Sequence, residues 1–474
     1  MGELSFAVPE KEGVKSRWII NLIEKLSKLE YVHHFSVIRN SKVLVSGSYT
    51  PYSKEDQHHL FSGTKSLTAL ALGLIYDRKI ISLEDKVLFF FPEVKVEGEY
   101  WDKMTIRHLL TMSTGHDRCP LFSRHNNVSD IDLIDIFFST PLKYEPGTVF
   151  TYNTCATYII SEIITRASGK CMDEWLEKEV FNPMGMSKVD YLRVKNGSPV
   201  GGVGGFIRRD DWAKFGLLML NYGAWDGKQL VSREYMDLMM SKQMDTSNNP
   251  NSTPNWMMGY GFQTWVTECD GMRADGAYGQ YALCFPKLNL LVSTNSGVEN
   301  MGIIMTYVVD ELVSKMSEDI NELPENPDDY AELQQLTSSL AIAVPEKTEF
   351  NMIGKNYSCS CDFLGMKKLD FAFGEKLSSL DITMIDNRVI SWQIGEEEYL
   401  INEFHDLKNN PRKFGIAGHA IGENEYEIVA FDLNDCYRTS YCCKFDNGEV
   451  TIKQSLKETL LNPAWTADLQ GQIL

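Results

Sequence analysis

The feature that most limits how this chain can fold is a change of pattern near residue 325. From Glu322 to Asp329 the sequence is acidic, poor in apolar residues, and carries Pro324 and Pro327. Ahead of this stretch, apolar residues recur at a mixture of helical and alternating spacings. Beyond it, after one helix over Tyr330–Leu340, the spacing is almost purely two. A chain of 474 residues is too long for one ordinary hydrophobic core, so the stretch reads as a linker between two units. The division expected is a first unit over 1–322, a linker and helix over 323–346, and a small β-rich unit over 347–474.

In the first unit, Ser16–Leu29 carries Ile19, Leu22, Ile23 and Leu26 on one helical stripe. Phe35–Arg39 and Lys42–Ser46 alternate about the turn Asn40-Ser41, as a hairpin does. A helix, a hairpin and a second helix predict a mixed α/β unit with an antiparallel sheet, not a βαβ array. Gly259–Trp265 reads as the first strand of a further part of the sheet. Tyr281–Phe285 and Leu290–Thr294 continue it around Pro286-Lys287-Leu288, and a helix over Ile303–Met316 closes it. In the second unit, Leu380–Met384, Val389–Trp392, Tyr426–Leu433, Tyr441–Phe445 and Val450–Lys453 read as strands. The last two are joined at Asp446-Asn447-Gly448. No catalytic constellation stands out there.

A formal net charge of -19 argues against nucleic acid or an anionic membrane as the main partner. The start, Met1-Gly2-Glu3-Leu4-Ser5, lacks a basic segment followed by an apolar one, and no apolar run approaches a membrane span. The expectation is a cytoplasmic protein. Its ten cysteines form no CxxC array, so reduced buried thiols are expected, with no metal and no cofactor.

The chemistry-bearing stretch is Phe61-Ser62-Gly63-Thr64-Lys65, followed by Leu67, Leu70, Ala71 and Leu74 on one helical face. Positions i and i+3 share a helix face, so the Ser62 hydroxyl and the Lys65 amine can meet. The first turn also offers free N–H groups to developing negative charge. A neutral lysine could take the serine proton if burial or a second cation lowered its pKa. The same residues also suit a capped turn followed by a surface lysine. Tyr152 precedes a helix containing Tyr158, Ile159, Ile163 and Ile164, and Ala274-Asp275-Gly276 precedes a strand. His108 and His116 have no carboxylate or cysteine partners at ligand spacing and read as structural. Gly201–Gly205 reads as a turn or pocket rim, since no Lys-Ser/Thr follows it.

With Ser62-Gly63-Thr64-Lys65, Tyr152-Asn153-Thr154 and Ala274-Asp275-Gly276 in this order, the chain resembles the serine β-lactamase-related hydrolases. These are the class C β-lactamases, the penicillin-binding peptidases and the esterases built like them. Met104–Leu110, Pro183–Met186 and Asp211–Phe215 look similar too, and the resemblance covers Leu4–Met316. It implies an α/β (α+β) fold: an antiparallel sheet flanked by helices plus a helical half, with the active site between. Ser62 would be the nucleophile, and Lys65 and Tyr152 would share the proton work. The cation would lower the phenol's pKa. The backbone N–H groups of Ser62 and Ala277 would form the oxyanion hole, and Asn153, Thr154, Asp275 and Gly276 would line the substrate.

Two departures stand out. Thr154 occupies the place where the family has asparagine, with Asn153 shifted by one. Ala274 occupies the place of the family's lysine or histidine, which weakens the case for β-lactam hydrolysis. Arg273 is an uncertain substitute, because adjacent strand residues face opposite ways. Asp275 could meet a cationic or polar substrate, or be solvated. The function expected is hydrolysis of a small ester, amide or short peptide through an acyl-enzyme. The alternatives are a binding or scaffold protein that has lost turnover, and a D-amino-acid peptidase. Pocket walls are expected at Gly201–Gly205, Trp256–Trp265 and Arg118–Asn127, and the β unit is a candidate for covering the cleft or assembling a homo-oligomer.

Overall fold

The computed structural model describes residues 3–123, 132–248, 252–319, 322–346, 348–351, 353–363, 366–405, 411–446, 449–456 and 466–472. The expected turn at Asn447-Gly448 and residues 124–127 of one expected pocket wall lie outside the described residues.

A seven-stranded sheet is the platform of the first half. Its order is Ser5–Phe6, Lys42–Ser48, Val32–Arg39, Leu290–Ser296, Gln280–Phe285, Gly271–Gly276 and Trp265–Thr267. Every pairing is antiparallel except that of Ser5–Phe6 with Lys42–Ser48. The central strands are buried on both faces, as a sheet between two helical layers must be. Helices Ser16–Ser27 and Gly302–Glu311 share a hydrophobic core with one face of the sheet. On the other face lies the helix Arg209–Leu220, whose Trp212 indole donates to the Tyr281 carbonyl at 2.8 Å.

The helix Thr64–Asp77 lies at the centre of that second core. Its sequence suggests one apolar face, yet Thr64 through Ile75 are all buried. The polar residues are accommodated by bonds to backbone carbonyls: Ser66 Oγ donates to Gln263 at 2.7 Å and Thr68 Oγ1 to Gly201 at 2.7 Å. Each fully buried leucine here contributes about 1.5–3 kcal/mol of burial. Strand structure is confined to Trp265–Thr267, and Gly259–Thr264 is not the expected strand. Gln263 instead sits at φ 56°, with its buried amide nitrogen donating to the Leu109 and Leu110 carbonyls and its oxygen accepting from Thr157.

Beyond the helix Pro327–Ser338, which packs on Ser16–Ser27, the chain forms a ten-stranded, mostly antiparallel sheet. Its first strand, Asn356–Phe363, returns to lie near its last, Thr466–Gln472, so the sheet nearly closes into a barrel around its own core. The barrel's outer face, through Tyr399, Ala417, Val429, Phe431 and Leu433, is continuous with the core beneath the seven-stranded sheet. Lys413 pairs with Asp56 at 2.6 Å across this junction. Among the described residues, no helix is long and apolar enough to cross a membrane.

Candidate active site

Ser62 sits in a 3-10 turn, Phe61–Gly63, immediately before the central helix begins at Thr64. It is partly exposed while its neighbours Phe61, Gly63, Thr64 and Lys65 are buried, so the hydroxyl faces an opening in an otherwise closed wall. Phe61 holds φ 47°, a costly conformation for a bulky residue. Thr64 Oγ1 locks the turn by donating to the Phe61 carbonyl at 2.7 Å.

Lys65 lies beneath Ser62. Its amine contacts Ser62 Oγ at 3.1 Å, Thr154 Oγ1 at 3.2 Å and the Gly202 carbonyl at 2.6 Å. Burial without a carboxylate in direct contact pulls the amine down to about 7, and the charge of Asp275 only partly opposes this. Near neutral pH the neutral amine is therefore within easy reach. A neutral amine can donate to Gly202 and Thr154 and still accept the Ser62 proton. The glycine-rich segment is thus part of the site: a Cβ on Gly202 would stand 2.7 Å from Thr154 Cγ2. Sequence reasoning took that segment for a rim and missed the carbonyl.

Tyr152 comes to the same place. Lys65 Nζ lies 4.9 Å from the centre of its ring, and the phenol interacts with the Ser62 hydroxyl. The expected lowering of the phenol's pKa is not what this environment produces. Burial raises it, and the interaction with Ser62 offsets that only in part. The Lys65 amine lies over the ring. Tyr152 stacks on Trp265 (5.7 Å between centroids) within an aromatic wall that includes Tyr260, Phe150 and Trp256.

Of the second segment, Thr154 reaches Lys65 and Asn153 does not. Asn153 is the N-cap of the helix Thr154–Ser168, its side-chain oxygen accepting from the Ala156 N–H at 3.2 Å. The expected substrate contact from Asn153 is therefore replaced by a capping bond. His108 and His116 are occupied within the fold, the first in the capping box of Ile106–Leu110 and the second with Thr114 and the Phe137 carbonyl.

The third segment ends the strand Gly271–Gly276. Its pairing with Trp265–Thr267 stops at Arg273, so Ala274–Gly276 carry no partner strand on that side among the described residues. Gly276 is needed because a Cβ there would lie 2.1 Å from the Leu60 carbonyl. That close approach brings Ala277 beside the Ser62 turn. Arg273 does not replace the missing cation. It is fully buried and donates to Asp275 at 2.8 Å, to the Val266 carbonyl at 2.8 Å and to the Asn255 carbonyl at 2.9 Å. Asp275 is not solvated: one oxygen accepts from both Arg273 and the Trp256 indole, and burial raises its pKa.

The barrel also reaches the site. The turn between its strands Glu425–Asp432 and Arg438–Asp446 puts Cys436 and Tyr437 into a cluster with Phe61, Ala277 and Tyr278. The Tyr437 ring meets Phe61 at 6.1 Å and Tyr278 at 6.0 Å, both edge to face. Asp435 bonds His59 Nδ1 at 3.1 Å, and the His59 N–H donates to the Asn434 carbonyl at 2.9 Å. No local pattern announces this turn, because its partners are distant in the chain, His59 standing 376 residues from Asp435.

The family model described as beta-lactamase matches residues 34–314. The chain belongs to that family. Its relatives include penicillin-binding protein 4* of Bacillus subtilis (strain 168), 28% identical over 145 residues. That match spans 29% of this chain and only 31% of the relative's own length. The 6-aminohexanoate-dimer hydrolase of Paenarthrobacter ureafaciens is 23% identical over 282 residues, covering 54% of this chain and 70% of that protein. In fold, the octameric penicillin-binding protein homologue from Pyrococcus abyssi matches 96% of this chain and 99% of its own, with a TM-score of 0.50 and 18% identity. The chain is thus built on the β-lactamase/transpeptidase-like fold, with a nearly closed C-terminal sheet.

Proposed function

We propose that this protein cleaves a small ester or amide through an acyl-enzyme on Ser62. The observation that supports this most is the Lys65 amine, buried, near neutrality in pKa and 3.1 Å from Ser62 Oγ. In this reading the neutral amine takes the Ser62 proton as Oγ attacks the carbonyl carbon. The Ser62 and Ala277 N–H groups receive the oxyanion. Tyr152, kept neutral by burial, donates its phenolic hydrogen towards the leaving group and is restored as the ammonium of Lys65 gives up its proton. Water then attacks the acyl carbon, with Lys65 again as base, and releases the acid.

Substrate class follows from the third segment. With Ala274 in place of a cation and Arg273 bound to Asp275 and two backbone carbonyls, no cation of this segment is left for a substrate carboxylate among the described residues. The substrate proposed is therefore neutral or cationic at that end, with an apolar part against Trp265 and Tyr260. The similarity to a hydrolase of an amino-acid-derived amide is compatible with this. The octameric neighbour supports a further proposal, that the chain assembles into a homo-oligomer, which light scattering in solution tests.

The direct test is hydrolysis of p-nitrophenyl butyrate by the wild type and by Ser62→Ala. Activity in the variant is expected to fall by roughly a thousandfold or more with the fold intact. Unchanged turnover would remove Ser62 from the nucleophile's role.

A further inference from the structure

Gln263 is 2% exposed, and every polar atom it has is engaged with the structure around Ser62. Its carbonyl accepts from Ser66 Oγ at 2.7 Å, and its side-chain oxygen accepts from Thr157 Oγ1 at 2.7 Å. Its amide nitrogen donates to the Leu109 and Leu110 carbonyls, each at 3.0 Å, and its backbone N–H donates to the Leu110 carbonyl at 3.1 Å. It holds φ 56° to do so, a conformation that a residue with a long side chain seldom adopts. Such strain persists only where the surroundings fix it, and it gathers at functional sites.

Its partners stand one step from the three groups that meet at Ser62. Ser66 follows Lys65 on the helix Thr64–Asp77. Thr157 lies one turn beyond Thr154 on the helix Thr154–Ser168. Leu109 and Leu110 end the helix Ile106–Leu110, and Met112 just beyond it brackets Tyr152. The Met112 carbonyl accepts from the Thr151 N–H at 2.7 Å, and its sulfur accepts from the Asn153 N–H at 3.2 Å. The loop that carries Gln263 also carries Tyr260 and Trp265, whose rings lie against Tyr152. The 3.2 Å contact of Lys65 with Thr154 is thus backed by a second tie between the same two helices, from Ser66 through Gln263 to Thr157.

We propose that Gln263 is a positioning residue: it fixes the spacing of Lys65, Thr154 and Tyr152 by tying together the three elements that carry or flank them. As a contribution to catalysis this rests on the reaction proposed at Ser62. Gln263 bears no charge, so it acts on Lys65 through geometry alone. The titratable groups that act on the amine directly are Asp275, Cys119, Cys155 and Tyr152, and none of them is changed by a substitution at Gln263. With the ties cut, the two helices loosen and water reaches the amine. That weakens the burial which holds it near 7, and its pKa rises towards the ordinary lysine value.

Gln263→Met keeps the length of the side chain and removes its amide. Thr157→Val cuts one tie and takes its place if Gln263→Met fails to fold by circular dichroism. Tyr235→Phe is the control: it deletes a buried bond of 2.7 Å from the Tyr235 hydroxyl to the Ala69 carbonyl of the same central helix, and it leaves the Gln263 ties intact. Hydrolysis of p-nitrophenyl butyrate is followed from about pH 5 to 9. Lys65 is titrated separately through its 13Cε resonance in protein labelled with 13C-lysine, assigned with Lys65→Met. In Gln263→Met, kcat should fall about tenfold to a hundredfold with KM little changed, and the midpoints of the pH profile and of the Lys65 titration should both rise by about one pH unit. Thr157→Val should move them the same way by less. Tyr235→Phe should lower the thermal midpoint and move neither. An unmoved Lys65 titration in the folded variant overturns the proposal, as does a shift of equal size in Tyr235→Phe. A wild type that turns over no ester defeats the reading at Ser62 instead, and the Lys65 resonance still decides the role of Gln263.

Discussion

Around Ser62 the protein buries a potential charge and satisfies it; inside the barrel it buries the Trp392 indole N–H with no acceptor among the described residues. Lys65 is surrounded by three oxygen acceptors drawn from the Ser62 turn, the Thr154 helix and the glycine-rich loop. Trp392 has no such set among the described residues. The first arrangement is pre-organised: each partner is fixed by its own backbone element, so little rearrangement is needed for a proton to move. The contrast separates an arrangement suited to moving a proton from one that only packs.

The comparison breaks most sharply if Lys65 can be dispensed with. Lys65→Met keeps the length of the side chain and removes the base, and kcat for ester hydrolysis should fall by roughly a hundredfold to ten-thousandfold. In the wild type, log kcat/KM should climb with pH up to about 7 and then level off, because raising the pH frees the amine of its proton. A profile flat from pH 5 to 8 would remove Lys65 from the base's role. Gly202→Ala tests the loop. Its Cβ would push on Thr154 and displace the carbonyl that holds Lys65, lowering kcat by about tenfold to a hundredfold with little change in the thermal midpoint.

A smaller effect sharpens the link between the two halves. Tyr437→Ala removes the ring that supports Phe61 and Tyr278. Activity should drop about tenfold in kcat rather than KM, with about 1–3 kcal/mol lost by the half-buried ring. A loss of stability with kcat unchanged would make the barrel turn only a structural prop.

The last prediction concerns stability alone. His33, His34 and His58 are fully buried where the hairpin strand Val32–Arg39 and the short strand Gln57–His59 approach the barrel. His33 Nδ1 lies 2.8 Å from His58 Nε2, and His33 stacks on Tyr52, whose ring meets Phe431 of the barrel. Burial lowers all three histidines, His58 to about 4. The unfolded chain therefore takes up protons below pH 6.5 that the folded one resists. Stability should be full above that pH and fall as it drops towards 4, by on the order of 3 kcal/mol from His58 alone. Urea midpoints between pH 7 and 4 measure it, and a constant midpoint would contradict it.

How much of this was legible in the sequence depends on the distance over which a feature is encoded. Ser62 and Lys65 are three residues apart at a helix start, and helical geometry alone brings them together. Thr154 was legible as a substitute because it directly follows Tyr152-Asn153, although only the structure shows Asn153 turned to capping. Strand alternation correctly put Arg273 on the opposite face from Ala274, but its engagement with two carbonyls and Asp275 depends on a loop at Asn255 that pattern cannot position. Gly259–Thr264 misled because alternation is blind to a left-handed residue such as Gln263. The Gly202 carbonyl and the Tyr437 turn were illegible for a common reason. A backbone oxygen has no sequence signature, and neither does a contact between residues hundreds of positions apart. The barrel's strands were readable from their period of two.

The most direct test of the central claim is the intact mass of the protein after exposure to a fluorophosphonate, which reacts only with an activated serine. The expected result is one adduct per chain, mapped to the peptide containing Ser62, lost in Ser62→Ala and formed faster as the pH rises through about 7. Folded wild-type protein that stays unlabelled, or an adduct that persists in Ser62→Ala, would contradict it.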